Sequence, residues 1–311
     1  YAPFQQHGFK LVVVDVDPMT LNVDVQQVAA AIGPRTIGIV GVSILGNPAP
    51  LDELRRLCDV HDLFFFEDNC ESLGAILKGQ RCGSFGDVGT LSFFFSHHLN
   101  TVEGGAVLTN DDHLRDLLVC LRAHGWTRDL PPNSPLRPFV EVEDLSYHYN
   151  FILPGYNVRP TELAAAVGLV QLARQKELAS NRRENAALFR NLFAEDPRWT
   201  IQHRWTIQHT VSADAWSVPF GFTLVFNSPE ARTLAARAMA ENGIEHRLIT
   251  GGSFARHPVA NHCYNWRYAR KEGTPVADHA HDCGLFVGNH AIDLTEQITT
   301  LHSLLDKEVP R

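Results

Sequence analysis

The chain has 311 residues, 44% hydrophobic and 20% charged, enough apolar material for one large domain with a smaller companion. A formal net charge of −8, from 27 Lys and Arg against 35 Asp and Glu, argues against a nucleic-acid or anionic-membrane partner, since both need a basic surface. With no run of 18 apolar residues and no charged-then-apolar leader, a soluble, cytoplasmic protein is expected.

The first strand candidate follows Tyr1 almost at once, so elements upstream of it are expected to be missing. Lys10 to Val16 (KLVVVDV) is an unbroken β-branched run and reads as a strand; a turn and a short helix in VDVQQVAAAIG follow, closed by Gly33. Thr36 to Ser43 is a second strand. LDELRRLCDVHD is a helix, because Leu51, Leu54, Leu57 and Cys58 recur at helical spacing. Leu63 to Glu67 is a third strand, ending on Asp68. Leu91 to Phe95 and Gly105 to Leu108 are two more, flanking SHHLNTVEGG, and Asp111 to Ala123 is a helix. Continuous apolar runs separated by helices predict an α/β fold whose largely parallel sheet is covered on both faces. The polar clusters where these runs end mark the expected site. The aromatic run Phe93 to Phe95 is expected to be core.

Between Gly125 and Pro160 lie six prolines and several aromatics, an irregular stretch of the kind that serves a site or a subunit contact. Thr161 to Phe193 is a long helical region with Leu163, Val167, Leu169 and Leu172 on one face, leading towards a second domain. RWTIQH occurs twice in residues 198–209, a local duplication to which no function is given. From Ala215 onwards a strand (WSVPFGFTLVF), a helix with Ser228 as N-cap and Gly243 as its end, a strand (IEHRLI) and a terminal helix (LTEQITTLHSLLDKE) make a smaller α+β unit. The expected division is 1–190 and 191–311. The six cysteines (Cys58, Cys70, Cys82, Cys120, Cys263 and Cys283) include no C-x-x-C pair and fall mostly in apolar segments, the pattern of reduced buried thiols.

Asp68, with Glu71 three residues later, can be a strand-end carboxylate bonded to a loop or part of a site. EDNCESLGAILKGQRCGSFGDVGTLSF, SFFFSHHLNTVEGG and LPGYNVRP, in that order, resemble the DegT/DnrJ sugar aminotransferase family over nearly the whole chain. The resemblance implies the type I pyridoxal-phosphate (PLP) fold of aspartate aminotransferase. It also places a glycine/serine-rich phosphate turn and a ring-stacking aromatic residue upstream of Tyr1.

One departure redirects the chemistry. Six residues before the glutamate of the E-G-G segment (Glu103 here), aminotransferases of the family carry the lysine that binds the cofactor covalently; this chain has His97. None of its five lysines (Lys10, Lys78, Lys176, Lys271 and Lys307) lies in that loop. Imidazole forms no stable Schiff base, so pyridoxal and pyridoxamine phosphate are expected to be held noncovalently. The exchange resembles the nucleotide-sugar 3-dehydratases of the family, a likeness also carried by LRAHGWTRDLP, IEHRLITGGSF and GLFVGNH. It implies L-glutamate as amino donor and a nucleotide-linked 4-keto-6-deoxyhexose as substrate, GDP-4-keto-6-deoxy-D-mannose first. The 3-hydroxyl is lost with His97 moving the proton, giving a 4-keto-3,6-dideoxy sugar.

By the same resemblance, Asp68 pairs with the pyridinium nitrogen. Ser92 and, across a subunit boundary, Asn157 bind the cofactor phosphate, and Glu71 stands near the ring hydroxyl. His124 faces the substrate, and Arg247 the glutamate or sugar. A homodimer with shared active sites follows. His98 is the alternative base, although the spacing to Glu103 favours His97. The His97–His98 pair with Glu103 lacks a third clear ligand, so no metal is expected. The cysteine spacing does not match that of iron–sulfur dehydratases acting on CDP-linked sugars. Two competing readings are a sugar aminotransferase that works without the lysine and a catalytically inactive binding or scaffold homologue.

Overall fold

The computed structural model describes residues 1–137, 149–193 and 214–309. In chain order these form α1 (Ala2–Gln6), β1 (Leu11–Val13), α2 (Val25–Ala31), β2 (Gly38–Val42), α3 (Leu51–His61) and β3 (Phe64–Asp68). Next come β4 (Ile76–Leu77), β5 (Gln80–Arg81), β6 (Val88–Ser92), β7 (Gly105–Leu108), α4 (Asp112–Leu121), α5 (Glu162–Ala173) and α6 (Gln175–Phe193). The C-terminal part holds β8 (Gly221–Val225), α7 (Pro229–Glu241), α8 (Pro258–Cys263), β9 (Trp266–Tyr268), α9 (Pro275–Cys283), β10 (Gly284–Gly288) and α10 (Thr295–Glu308). No helix among the described residues is long and apolar enough to cross a membrane.

The sheet that positions the site runs in the order β2-β3-β6-β7, with parallel β2–β3 and β3–β6 pairs and an antiparallel β6–β7 pair. Helix α3 packs on one face. Its Leu51, Leu54, Leu57 and Cys58 are the residues its spacing predicts to be buried, and they pack with Ile39 and Phe65 of the sheet. Asp62, in the left-handed region at φ 54°, ends the helix and turns the chain into β3.

Burial alternates along β2, where Ile39 and Gly41 are buried but Val40 and Val42 exposed, and Phe64 on β3 shares the exposed face. The expectation that both faces are covered therefore fails among the described residues. Side chains of a strand alternate between faces, so Glu67 and Asp68 point opposite ways. Glu67 is fully buried on the α3 side, while Asp68 shares the other face with Thr90, its register partner on β6. That open face carries the candidate site.

Several expected boundaries move. β6 lies three residues earlier than Leu91 to Phe95: after Ser92 the chain turns, with Phe93 donating to the Gly104 carbonyl and accepting from Thr101 N–H. Phe95 is 60% exposed rather than core. β1 is shorter than Lys10 to Val16 and pairs in parallel with β9, outside the main sheet. It stops before Asp15, whose buried carboxylate caps the start of α9 through the N–H groups of Val276 and Ala277. IEHRLI forms no strand; Arg247 makes only an isolated bridge to Phe286. The long helical region divides at Arg174 into α5 and α6, and the RWTIQH duplication lies outside the described residues.

In the C-terminal part, antiparallel β8 and β10 pack with α6, α7 and α10 around Phe189, Phe193, Leu224, Met239 and Leu305. Ser228 caps α7 as predicted, accepting from Ala231 N–H. Leu21 and Leu45 pack with Val225, Ile249 and Cys283, which joins the two halves of the chain. Leu54 is fully buried beneath β2. Leu54→Ala is expected to cost about 2–5 kcal/mol, read as a lower urea midpoint with an unchanged slope; a cost under about 1 kcal/mol contradicts this packing.

Candidate active site

The site begins with two neighbouring carboxylates that face opposite ways. Glu67 accepts hydrogen bonds from the N–H groups of Gly83, Phe85 (2.9 Å) and Gly86 (3.3 Å). Burial pushes its carboxyl above the usual range and these donors pull it back. Glu67 thereby fixes the GSFG turn leading into β6. Asp68 uses one oxygen, Oδ1, to accept from Cys70 N–H (3.1 Å) and the Thr90 hydroxyl (3.4 Å). Neither of these two bonds uses Oδ2, the oxygen that suits a cationic N–H.

His97 sits opposite, in the turn after β6. Its Nδ1 lies 2.7 Å from the Cys70 carbonyl oxygen. A carbonyl only accepts, so the hydrogen bond assigns the proton of neutral His97 to Nδ1 and the lone pair to Nε2. Asp68 and His97 are thus tied to the two ends of one residue, Cys70, through its N–H and its C=O. Ser92, at the end of β6, lies two residues beyond Thr90 on the same face, and its Oγ accepts from Phe94 N–H at 3.3 Å. Its hydroxyl proton remains available to an oxyanion.

Glu71 completes this group, with Oε2 accepting from Leu45 N–H at 2.8 Å. Burial raises its carboxyl pKa, the Leu45 bond lowers it and the nearby Asp68 raises it again. Gly104, at φ 151°, shapes the turn below His97; a Cβ there would stand 2.7 Å from Thr101 Oγ1.

The other predicted residues stand apart. Ala123 and Asn157 form a backbone bridge, and His124 N–H donates to the Tyr156 carbonyl at 2.7 Å. His124 and Asn157 are both exposed, with Asn157 accepting from Arg159. Arg247 is exposed and paired with Glu245 at 2.5 Å. No hydrogen bond or ion pair among the described residues connects His124, Asn157 or Arg247 to the Asp68–His97 group. Sequence reasoning missed Thr90, whose only signal is its period-two spacing from Ser92, and the Cys70 carbonyl, which a side-chain reading does not consider.

His98 is not the base. It is buried, its Nε2 donates to the Val218 carbonyl at 2.8 Å, and burial, helped by Arg182, holds its pKa down at about 3. A histidine depressed below its unfolded value of roughly 6.5 takes up its proton in the unfolded chain first. Its contribution to stability is therefore complete above pH 6.5 and is lost progressively down to about pH 3. Between pH 7 and pH 5, the protein should lose about 2 kcal/mol more than a His98→Gln variant in urea titrations; parallel losses contradict a neutral buried His98.

These atoms fit a phosphorylated pyridine cofactor. Asp68 Oδ2 suits a protonated ring nitrogen, Ser92 a phosphate oxygen, and His97 Nε2 a carbon acid between them. The sequence pattern of the DegT/DnrJ/EryC1/StrS aminotransferase family matches residues 2–298. GDP-4-keto-6-deoxy-D-mannose 3-dehydratase of Yersinia pseudotuberculosis is 39% identical over 309 residues, covering 99% of this chain and 76% of that protein. The Escherichia coli enzyme of the same name, with bound hydrated PLP, superposes with a TM-score of 0.90 at 34% identity, over 98% of this chain and 76% of its own. A crystal structure of GDP-4-keto-6-deoxymannose-3-dehydratase with a trapped PLP–glutamate geminal diamine gives a TM-score of 0.89 at 34% identity, over 98% and 77%. The α/β architecture is that of PLP-dependent enzymes of the aminotransferase type, and the chain belongs to the DegT/DnrJ/EryC1/StrS aminotransferase family.

Proposed function

We propose that this protein is a PLP-dependent nucleotide-sugar 3-dehydratase. It removes the 3-hydroxyl of GDP-4-keto-6-deoxy-D-mannose with L-glutamate as amino donor. The observation that carries this reading is His97, fixed with Nδ1–H on the Cys70 carbonyl and with an open Nε2, where aminotransferases of the family place their lysine.

When bound, the cofactor supplies an electron sink and an amino group that condenses with the 4-keto carbon. Asp68 holds the ring nitrogen protonated through Oδ2, while Cys70 N–H and Thr90 hold Oδ1 in place. Ser92 binds the phosphate. His97 Nε2 accepts the proton removed next to the ring and returns it to the departing 3-hydroxyl oxygen, which leaves as water. Over the whole cycle, substrate and glutamate become the 4-keto-3,6-dideoxy sugar, 2-oxoglutarate and ammonia. Imidazole cannot recapture the cofactor covalently as a lysine does, so the amino group ends as ammonia and not on the sugar. Glu71 stands beside Asp68 and orders the turn at Leu45, one carboxylate oxygen remaining for the ring hydroxyl.

The proposal extends to assembly. Helix α5 buries none of its residues in the single chain, and Leu163, Leu169 and Val170 are 82%, 69% and 63% exposed. Exposed Phe151, Tyr156 and Val158 precede it in the chain. A second copy covering this surface gives a homodimer in which Asn157 serves the neighbour's phosphate site, with His124 beside it on the substrate side. Arg247, paired with Glu245, is assigned to the glutamate or the sugar. Residues 1–190 form the cofactor domain and 191–311 the smaller one.

In the test, the protein is incubated with PLP, glutamate and GDP-4-keto-6-deoxy-D-mannose. The expected products are a keto sugar lacking one oxygen and an equal amount of ammonia, with turnover falling about 10²- to 10⁴-fold in His97→Asn. An amino sugar as product, or full turnover in His97→Asn, overturns the proposal.

A further inference from the structure

The ring of His97 is touched by a residue with no role in the account so far. The Phe220 ring centroid lies 5.0 Å from that of His97, with the planes tilted by 42°, and 5.8 Å from that of His98. Phe94 meets the His97 ring edge-on at 6.1 Å. Phe220 belongs to the segment entering β8, far along the chain from the loop it touches.

That segment is fastened at both ends of the contact. Phe220 N–H donates to the Leu45 carbonyl at 2.8 Å, and Val218 N–H to the Gly46 carbonyl at 3.1 Å. The Val218 carbonyl accepts from His98. Gly46 has φ 88°, and a Cβ there would overlap the Val218 carbonyl, so the crossing requires glycine. Leu45 is itself in the left-handed region, φ 51° and ψ 31°, with its N–H on the Glu71 carboxylate at 2.8 Å. Glu71 follows Cys70, whose carbonyl accepts from His97. The contacts close a circuit: Cys70, Glu71, Leu45, Phe220, His97 and back to Cys70.

We propose that Phe220 is a positioning residue for His97, holding the imidazole plane so that Nε2 stays aimed into the site while Nδ1–H remains on the Cys70 carbonyl. This deepens the dehydratase reading and rests on it for the identity of the reaction, but the way the ring is held is independent of substrate. A single hydrogen bond fixes one ring atom and leaves the ring free to swing about it. Contact with a large, fastened aromatic ring removes that freedom. Placing a proton-transfer group about 1 Å off can cost 10²-fold in rate, so a half-buried residue that only touches the base can matter this much.

The test uses Phe220→Leu, which keeps apolar volume, beside Phe220→Ala. The first readout is the tautomer of His97 by ¹⁵N-histidine NMR in cofactor-free protein, assigned with His97→Asn. The wild type is expected to show protonated Nδ1 and unprotonated Nε2, and both variants a shift towards an exchanging mixture. The second is kinetic: kcat falls roughly 10- to 100-fold with the KM for glutamate and for sugar nucleotide changed less than about threefold. Should Phe220→Ala not fold, Phe220→Leu decides alone. An Nε2–H tautomer in the wild type, or an unchanged tautomer and kcat in a folded Phe220→Leu, overturns the proposal. A wild type with the expected tautomer but no dehydration overturns the functional reading and leaves the positioning role standing.

Discussion

The hydrogen bond from His97 Nδ1 to the Cys70 carbonyl, 2.7 Å long, is the contact on which the proposed chemistry depends. Imidazole is both donor and acceptor, and an acceptor-only partner on one nitrogen settles which role the other plays. Cys70 makes that choice through its backbone and through the same residue's N–H orients Asp68, so the two groups that the proposed mechanism uses as electron-sink partner and base are set by one peptide segment. Burial pushes the Cys70 thiol up to about 12, so it stays a thiol, with its Sγ 3.6 Å from the Thr90 hydroxyl and hydrogen-bonded to Asp68.

That segment is held in turn by buried carboxylates used for structure. Glu67 organises the 83–86 turn from beneath the sheet, and Glu71 organises Leu45 from beside the site. Each satisfies backbone N–H groups that would otherwise be buried without partners, a costly arrangement in a low-dielectric interior. The EDNCE run thus divides its labour by strand geometry. Glu67 faces inward, Asp68 faces the site, and Glu71 lies past the strand end, where the chain has already turned.

Much of this was legible in the sequence, for identifiable reasons. The buried face of α3 follows from helical spacing alone, and the Ser228 cap from residue type and position. The grouping of Asp68, Ser92 and His97 came through family motifs rather than through pattern; strand geometry puts Asp68 and Ser92 on one face of the sheet, and His97 follows in the turn after β6. What escaped were features that depend on partners distant in sequence. The Phe93–Phe95 run has strand composition, yet its backbone is captured by Gly104 and Thr101 in a turn. The apolar residues of α5 resemble a core stripe and are exposed in the single chain. Phe220 carries no local sign that it meets His97, because the contact exists only once the segment before β8 crosses the turn at Gly46.

The central claim is that this member of an aminotransferase family works with imidazole where a lysine amine is expected, and so holds its cofactor without a covalent link. The most direct measurement is borohydride reduction of the PLP-loaded protein followed by intact-mass determination and peptide mapping. The account predicts an unmodified protein mass and complete release of the cofactor on denaturation. A pyridoxyl group fixed stoichiometrically to any of Lys10, Lys78, Lys176, Lys271 or Lys307 would contradict it.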